Sequence, residues 1–240
     1  MSVEVERKFV CNAETVRTLE EIGAVCVGQH QFHDQYFDTP QFHLTLRDTW
    51  LRKRKGCWEL KCPTSASGTE ENKAAALCSR YKEITNLPEI LLRVKEVLRV
   101  KEVLRVKEVL RVKEVLRDVG EDGETETSPQ DHQSYQSHQS WLDQMNLVCF
   151  AEFTTERRSF SLQEEGVQVD LDQADFGYHV GEIEVLVPEG GDVQSALEKI
   201  ERTAGKLGLT GDQRVEGKMH VYLQRNHPEH YARLLSAHVL

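Results

Sequence analysis

The chain has 240 residues, a formal charge of −10 and 39% hydrophobic residues, enough to bury one core and, by length, to form one domain. The negative balance argues against nonspecific nucleic-acid binding, which needs positive potential along the phosphate backbone. No run approaches the roughly 20 apolar residues of a membrane span, and no apolar signal stretch opens the chain. Cysteines at 11, 26, 57, 62, 78 and 149 lack CxxC spacing, so a reduced, cytoplasmic protein is expected.

In chain order, Val3 to Phe9 reads as a strand in which Glu4, Glu6 and Lys8 share one face while Val3, Val5 and Phe9 take the other. Ala13 to Ile22 reads as a helix, with Asn12 as N-cap, Gly23 past its end, and Val16, Leu19 and Ile22 at helical spacing. Strands are predicted at Val25 to Tyr36, Thr49 to Arg54, Cys57 to Cys62 and Ser79 to Ile84. Turn-rich stretches at Asp38-Thr39-Pro40 and Ser65 to Asn72 separate them. Later strands are predicted at Val148 to Leu162, Val167 to Asp172, Gly181 to Val187 and Val215 to Leu223. Between the last two, Val193 to Leu207 carries Ala196, Leu197, Ile200, Ala204 and Leu207 on one helical stripe. Many strands with one charged face imply a sheet curled on itself, its apolar faces turned outward against helices.

The hexapeptide Val-Lys-Glu-Val-Leu-Arg occurs four times in tandem from Val94 to Arg117. Each copy advances a helix by about 240°, so no single face can bury all four. A helix over 88–117 would be about 45 Å long. It would carry a net +4, leaving −14 for the rest of the chain, and such a basic spike could recruit a partner. The simpler reading is repeat expansion of a short helix within a surface connection, which loop-closure entropy tolerates. Residues 118–140, rich in Glu, Ser, Gln and His, read as a disordered linker.

The charged alternation of the first strand returns at Arg52/Arg54, Glu59/Lys61 and Glu182/Glu184. Acidic pairs beside basic pairs suit a divalent cation bound to a polyphosphate, the metal taking carboxylate oxygens and the phosphates taking guanidinium and ammonium donors. Glu4, Glu6, Asp170, Glu182 and Glu184 are the candidate metal-face residues, although Asp170 and Asp172 share a face and spacing does not choose between them. Lys8, Arg52, Arg54, Lys61, Arg157 and Lys218 are the candidate phosphate-binding cations. Arg157 and Arg158 face opposite ways in a strand, so only one can enter a lumen. Trp50 could stack on a cationic ring through its π face.

The ExExK start at Glu4 to Lys8, Trp50-Leu51-Arg52-Lys53-Arg54, Trp58-Glu59-Leu60-Lys61-Cys62-Pro63, Val169 to Tyr178, and Gly181-Glu182-Ile183-Glu184, with Lys218 ahead of Val221 to Arg225, together resemble the CYTH superfamily. The similarity runs in order from Glu4 to about Leu235, interrupted between about Leu92 and Ser140. It implies an α+β fold: an antiparallel β-barrel tunnel with a charged lumen and flanking helices, a single domain over 1–240 with 94–117 and 118–140 inserted. It also implies a monomer that uses Mg2+ to hydrolyse thiamine triphosphate to thiamine diphosphate and phosphate. Inorganic triphosphatase and class IV adenylyl cyclase chemistry are implied for the same tunnel, and a non-catalytic polyphosphate-binding module is the reading outside enzymes. The resemblance favours Asp170 over Asp172 and Arg157 over Arg158, and it places Glu182 among phosphate-site as well as metal-site residues. It matches Tyr36 to a family tyrosine that works with the lysine at the position of Lys61 on the attacking water, an ammonium beside a phenol favouring phenolate.

Overall fold

Charge on one face of nearly every strand and aliphatic side chains on the other dictate a closed sheet, because only closure removes both edges and gives the two faces separate environments. The computed structural model describes residues 2–64, 73–99, 139–211 and 214–240. Its strands are β1 (Ser2–Phe9), β2 (Val25–Asp38), β3 (Trp50–Arg54), β4 (Cys57–Pro63), β5 (Cys78–Ile84), β6 (Val148–Leu162), β7 (Val167–Ala174) and β8 (Tyr178–Pro188). They form a closed barrel in the order β1-β5-β4-β3-β2-β6-β7-β8, every pairing antiparallel. The helices are α1 (Thr15–Glu21), α2 (Lys73–Ala76), α3 (residues 87–99), α4 (Gln139–Gln144), α5 (Val193–Lys206), α6 (Lys218–Asn226) and α7 (Pro228–Ser236).

Apolar side chains pack on the outside of the barrel. Val5, Val169, Ile183 and Val185 meet Leu197, Ile200 and Ala204 of α5. Leu51, Leu60 and Ile84 are covered by Ile90, Val94 and Val97 of α3 and by Trp141 and Leu142 of α4. Each large aliphatic side chain removed from water in these layers stabilises the fold by about 1.5–3 kcal/mol. Phe9 of β1 lies opposite Gly181 of β8, and a Cβ at 181 would stand 2.2 Å from its ring, so the close packing requires glycine there.

One end of the barrel is closed by the C-terminal helices. Tyr222 of α6 packs on Phe153 and Phe176, with ring centroids 5.3 and 5.4 Å apart, and Leu223 and Leu234 pack against Trp50. A polar hub fixes α7. Asp38 accepts from the backbone N–H groups of Thr39, Leu44 and Thr45 and from the Thr45 hydroxyl. That hydroxyl also meets Nε2 of buried His230 at 2.8 Å. Burial, with His227 and Arg233 adding to it, brings the His230 pKa down to about 4 and leaves the imidazole neutral.

Several expectations change. The segment at Val215 to Leu223 is not a strand; from Lys218 it forms α6, with Gly217 as N-cap. A barrel in which β1 pairs with both β5 and β8 offers no free edge for it, and Val221 and Leu223 are buried by packing of the helix. Asn12 is not the N-cap of α1, which is Glu14; instead its side chain accepts from the Glu14 N–H and the Thr15 hydroxyl one turn earlier. The helix expected over 88–117 is described as far as residue 99, with the Asn86 side chain accepting from the Glu89 N–H at its start. Repeat copies after the first, the expected turn at Ser65 to Asn72, and linker residues 118–138 lie outside the described residues. Gln139 and Ser140 belong to α4 rather than to a linker.

Candidate active site

Alternation along the strands delivers the charged residues to one interior cavity of about 320 Å3. Lys8 comes from β1, Arg52 and Arg54 from β3, Lys61 from β4, Arg157 from β6 and Lys218 from the first turn of α6. All six line the cavity together with Glu4, Glu6, Glu182, Glu184 and Tyr36. Asp170 is fully buried in the wall behind, held by Arg157. Arg158 points outward over Phe160, 5.4 Å from its centroid, and Lys53 points outward over Trp58.

Each cation is compensated by acids that the strand register sets beside it. Arg54 grips the fully buried Asp34 with both Nε and Nη2 at 2.6 Å. Its guanidinium also lies 3.7 Å over the centroid of Phe32. Arg52 pairs with Glu59 and stands 3.7 Å from Asp34, while its Nε is buried with no partner among the described residues. Lys61 pairs with Glu4 and, at 3.1 Å, with Glu83. Lys8 pairs with Glu6. Arg157 reaches Asp170, both oxygens of Asp172 at 2.6 and 2.7 Å, and Glu182 at 2.8 Å. Lys218 joins Asp172 and, at 3.2 Å, Glu182.

Proton affinities follow from these pairings. Burial works against the charges of Lys61, Lys218 and Arg157, but the facing carboxylates outweigh it and raise all three pKa values. Burial also opposes ionisation of Glu182, yet Lys218, Arg157 and Lys8 hold it well below the usual carboxylate range. Glu184 is the contrast. Burial, followed by the charges of Glu4 and Asp170, pushes it up to about 8, and no cation pairs with it among the described residues. Glu4 and Asp170 are raised as well, chiefly by burial.

Among the described residues no three acidic, histidine or cysteine side chains already stand as a closed metal cage, since most of the acids are turned toward cations. The donor set nevertheless fits a small hard divalent ion. Glu4, Asp170 and Glu184 supply oxygen ligands alone, and the burial beside Glu4 and Asp170 that makes Glu184 hold a proton is what such a cation would offset.

Tyr36 sits directly across from Arg52 in the β2–β3 pairing. Burial opposes the charge of Arg52, and Tyr36 leads Glu59 and Asp34 in restoring it. Lys61 is one strand farther on, opposite Trp50. The cavity therefore holds both members of the expected water-handling pair, with Arg52 as the cation nearest Tyr36. Beside the C-terminal helices, the Trp50 indole N–H and the Tyr81 hydroxyl both donate to Asp48, at 2.8 and 2.9 Å, and Met219 and His220 of α6 complete the lining. Burial, then Lys8 and Arg214, bring His220 down to about 4, so it is neutral.

Sequence reasoning missed Asp34, Glu83, Gln168 and His220. The first two carried a usable signal: Asp34 has the parity of Tyr36, and Glu83 lies opposite Lys61 once β4 and β5 are paired. His220 gave none, because its placement depends on α6 being a helix.

A CYTH domain profile matches residues 2–216. The thiamine-triphosphatase of Homo sapiens is 35% identical, over 97% of this chain and 89% of its own length. That of Macaca fascicularis is 34% identical with the same coverage. A solved structure from Vibrio parahaemolyticus, provisionally named an adenylate cyclase, matches with a TM-score of 0.51 at 18% identity, covering 92% of this chain and 97% of that one; at that identity the likeness shows the fold.

Proposed function

The chain belongs to the CYTH family, and from that premise we propose that it hydrolyses thiamine triphosphate to thiamine diphosphate and phosphate inside the barrel. The observation that carries the reading is the convergence of six cations from four strands and one helix on a single cavity. Burying so many ion pairs adds little stability by itself, because desolvation offsets most of the Coulomb gain. A triphosphate gives the arrangement its use: the cations exchange protein carboxylates for phosphate oxygens.

Arg54 and Arg157 present forks to phosphate, Lys8 and Lys218 supply movable point charges, and Arg52 adds a third guanidinium to the lining. Glu4, Asp170 and Glu184, with Glu6 and Glu182 beside them, would hold magnesium, which when bound supplies further positive charge to the phosphate oxygens. Lys61 and Tyr36 orient the attacking water at the terminal phosphate, with Arg52 facing Tyr36 across the β2–β3 pairing. The cationic wall stabilises charge building on the transferring phosphoryl group. In the cavity wall, Trp50 presents its indole to the thiazolium ring, held by Asp48. A reducing, cytoplasmic setting accords with six cysteines that are all free.

The test is a turnover assay with thiamine triphosphate, inorganic triphosphate and ATP, each with and without magnesium. Thiamine triphosphate with magnesium should give the highest kcat/KM. Equal turnover of inorganic triphosphate would remove the thiamine preference, cyclic AMP from ATP would mark a cyclase, and saturable binding without turnover of any substrate would leave a polyphosphate-binding module.

A further inference from the structure

On the outer side of the barrel, α3, the end of α4, the loop after β2 and α7 line an open cleft of about 660 Å3, about twice the volume of the tunnel site. Its charged character is the reverse of the chain's. The protein as a whole carries −10, yet Lys95 and Arg99 of α3 and Arg233 of α7 all line this cleft, and among the described residues no acidic side chain does. Lys95 and Arg99 are one helical turn apart, a spacing at which like charges repel. Both belong to the first Val-Lys-Glu-Val-Leu-Arg copy, whose Val94 and Val97 are buried against the barrel, so the core fixes which way the two cations face.

None of the three cations has a carboxylate partner among the described residues. Glu96, next to Lys95, is committed to Arg93 at 3.0 Å. Arg233 donates to the backbone carbonyl of Gln41 at 2.9 Å and lies 5.1 Å over the Phe42 ring. Those contacts set its direction without neutralising it. Between the cations, the side-chain amides of Gln41, Gln144 and Asn146 offer neutral donors and acceptors, and Leu98 and Met145 offer apolar contact.

We propose that this cleft is a second anion-binding site, distinct from the tunnel, that takes a phosphate monoester of a small polar organic molecule. The cations match a phosphate dianion, with Arg99 and Arg233 able to fork onto its oxygens. The amides and the two apolar side chains match the organic part, and the volume falls in the ordinary range of small-molecule sites. With no carboxylate among the described lining residues, the cleft takes the anion without a divalent metal, which separates it chemically from the tunnel. A nucleic-acid backbone fits poorly, since the cleft is concave and the surrounding chain is acidic.

The test is titration of the full-length protein with ribose 5-phosphate in excess chelator, followed by calorimetry and by the amide NMR signals of Gln144 and Asn146. Three proteins are compared: wild type, Lys95→Glu/Arg99→Glu, and the tunnel variant Arg54→Ala. Wild type should bind one equivalent with shifts at Gln144 and Asn146, Arg54→Ala should bind within about threefold of wild type, and the double charge reversal should weaken binding at least tenfold. Both reversed positions are exposed, so the fold should be kept; Arg233→Gln serves as an independent second variant with the same expected weakening. Absence of binding at millimolar ribose 5-phosphate, binding lost in Arg54→Ala, or binding unchanged in both cleft variants would overturn the proposal.

Discussion

Glu182 and Glu184 stand two residues apart on the inner face of β8 and have opposite proton affinities: Glu182, gripped by Lys218 and Arg157, stays ionised, whereas Glu184, without a cation, holds its proton up to about pH 8. Between its usual value of 4.5 and about 8, the folded protein keeps a proton at Glu184 that the unfolded chain has released. Stability of the metal-free protein therefore falls as pH rises through that window and stays low above it. Glu184→Gln removes this dependence. In excess chelator, its Tm relative to wild type should rise between pH 5 and pH 9, at about 2–4 °C per kcal/mol for a chain of this size. Magnesium should recover wild-type Tm at pH 8 but not that of the variant. A Tm difference that stays flat from pH 5 to pH 9 would mean that Glu184 ionises normally.

Arg157 neutralises three carboxylates at once, Asp170, Asp172 and Glu182. Arg157→Met strands Asp170 and leaves Asp172 and Glu182 to Lys218, and the expected loss at pH 7 is about 3–5 kcal/mol. The sign with pH follows from Glu182, whose folded pKa lies below its usual 4.5. The stability it contributes is present above that usual value and is lost as pH falls through the folded value. The variant lacks the Arg157 share of this contribution, Lys218 keeping its own, so its deficit should be greatest at neutral pH and shrink below about pH 4.5, where protonation relieves the under-compensated acids. Urea unfolding at pH 7 and pH 4 measures it, and an equal deficit at both pH values would contradict the account.

Tyr36→Phe removes one hydroxyl from a ring that stays stacked on Phe153, 5.8 Å between centroids. Turnover of thiamine triphosphate should drop on the order of 10²-fold, as for loss of a general acid–base contact, with KM within a few-fold of wild type. Combining Tyr36→Phe with Lys61→Met or with Arg52→Lys identifies the cation that works with the phenol, since the coupled pair will be non-additive. Near-normal turnover of Tyr36→Phe across the pH range would leave the water to the metal and the cationic wall.

Alternation made the barrel legible. In β1, β3, β4 and β8 the period of two separates Glu4, Arg52, Lys61 and Glu182 from Val5, Leu51, Leu60 and Ile183, and the structure keeps that separation between lumen and outer layers. The predicted span of β6, Val148 to Leu162, agrees at both ends. Alternation failed at α6, where buried Val221 and Leu223 also stand two apart; only a barrel without a free edge decides for the helix. Pairings between strands were the other illegible part. That Asp34 answers Arg54, that Glu83 shares Lys61 with Glu4, and that Glu184 has no cation all depend on cross-strand register and closure, which no local pattern encodes.

The first repeat copy is part of the core, with Val94 fully buried and Val97 nearly so against Leu60, Ile84 and Trp141. A charge there cannot reach water: Val94→Asp leaves an unpaired buried carboxylate, expected to cost about 3–5 kcal/mol and to lower Tm by about 6–20 °C. Deleting 100–117 is expected to behave differently. It removes three identical copies, leaves Val94 to Arg99 in place ahead of Asp118, and spares every residue of the tunnel. Loop-closure entropy changes by only about 0.6 kcal/mol per doubling of length, so Tm should stay within a few degrees of wild type and hydrolysis of thiamine triphosphate within about twofold. Differential scanning calorimetry and the turnover assay on the two variants check both halves. A folded deletion protein that has lost more than tenfold in activity would show that the added copies act on the tunnel, and repeat expansion would no longer explain them.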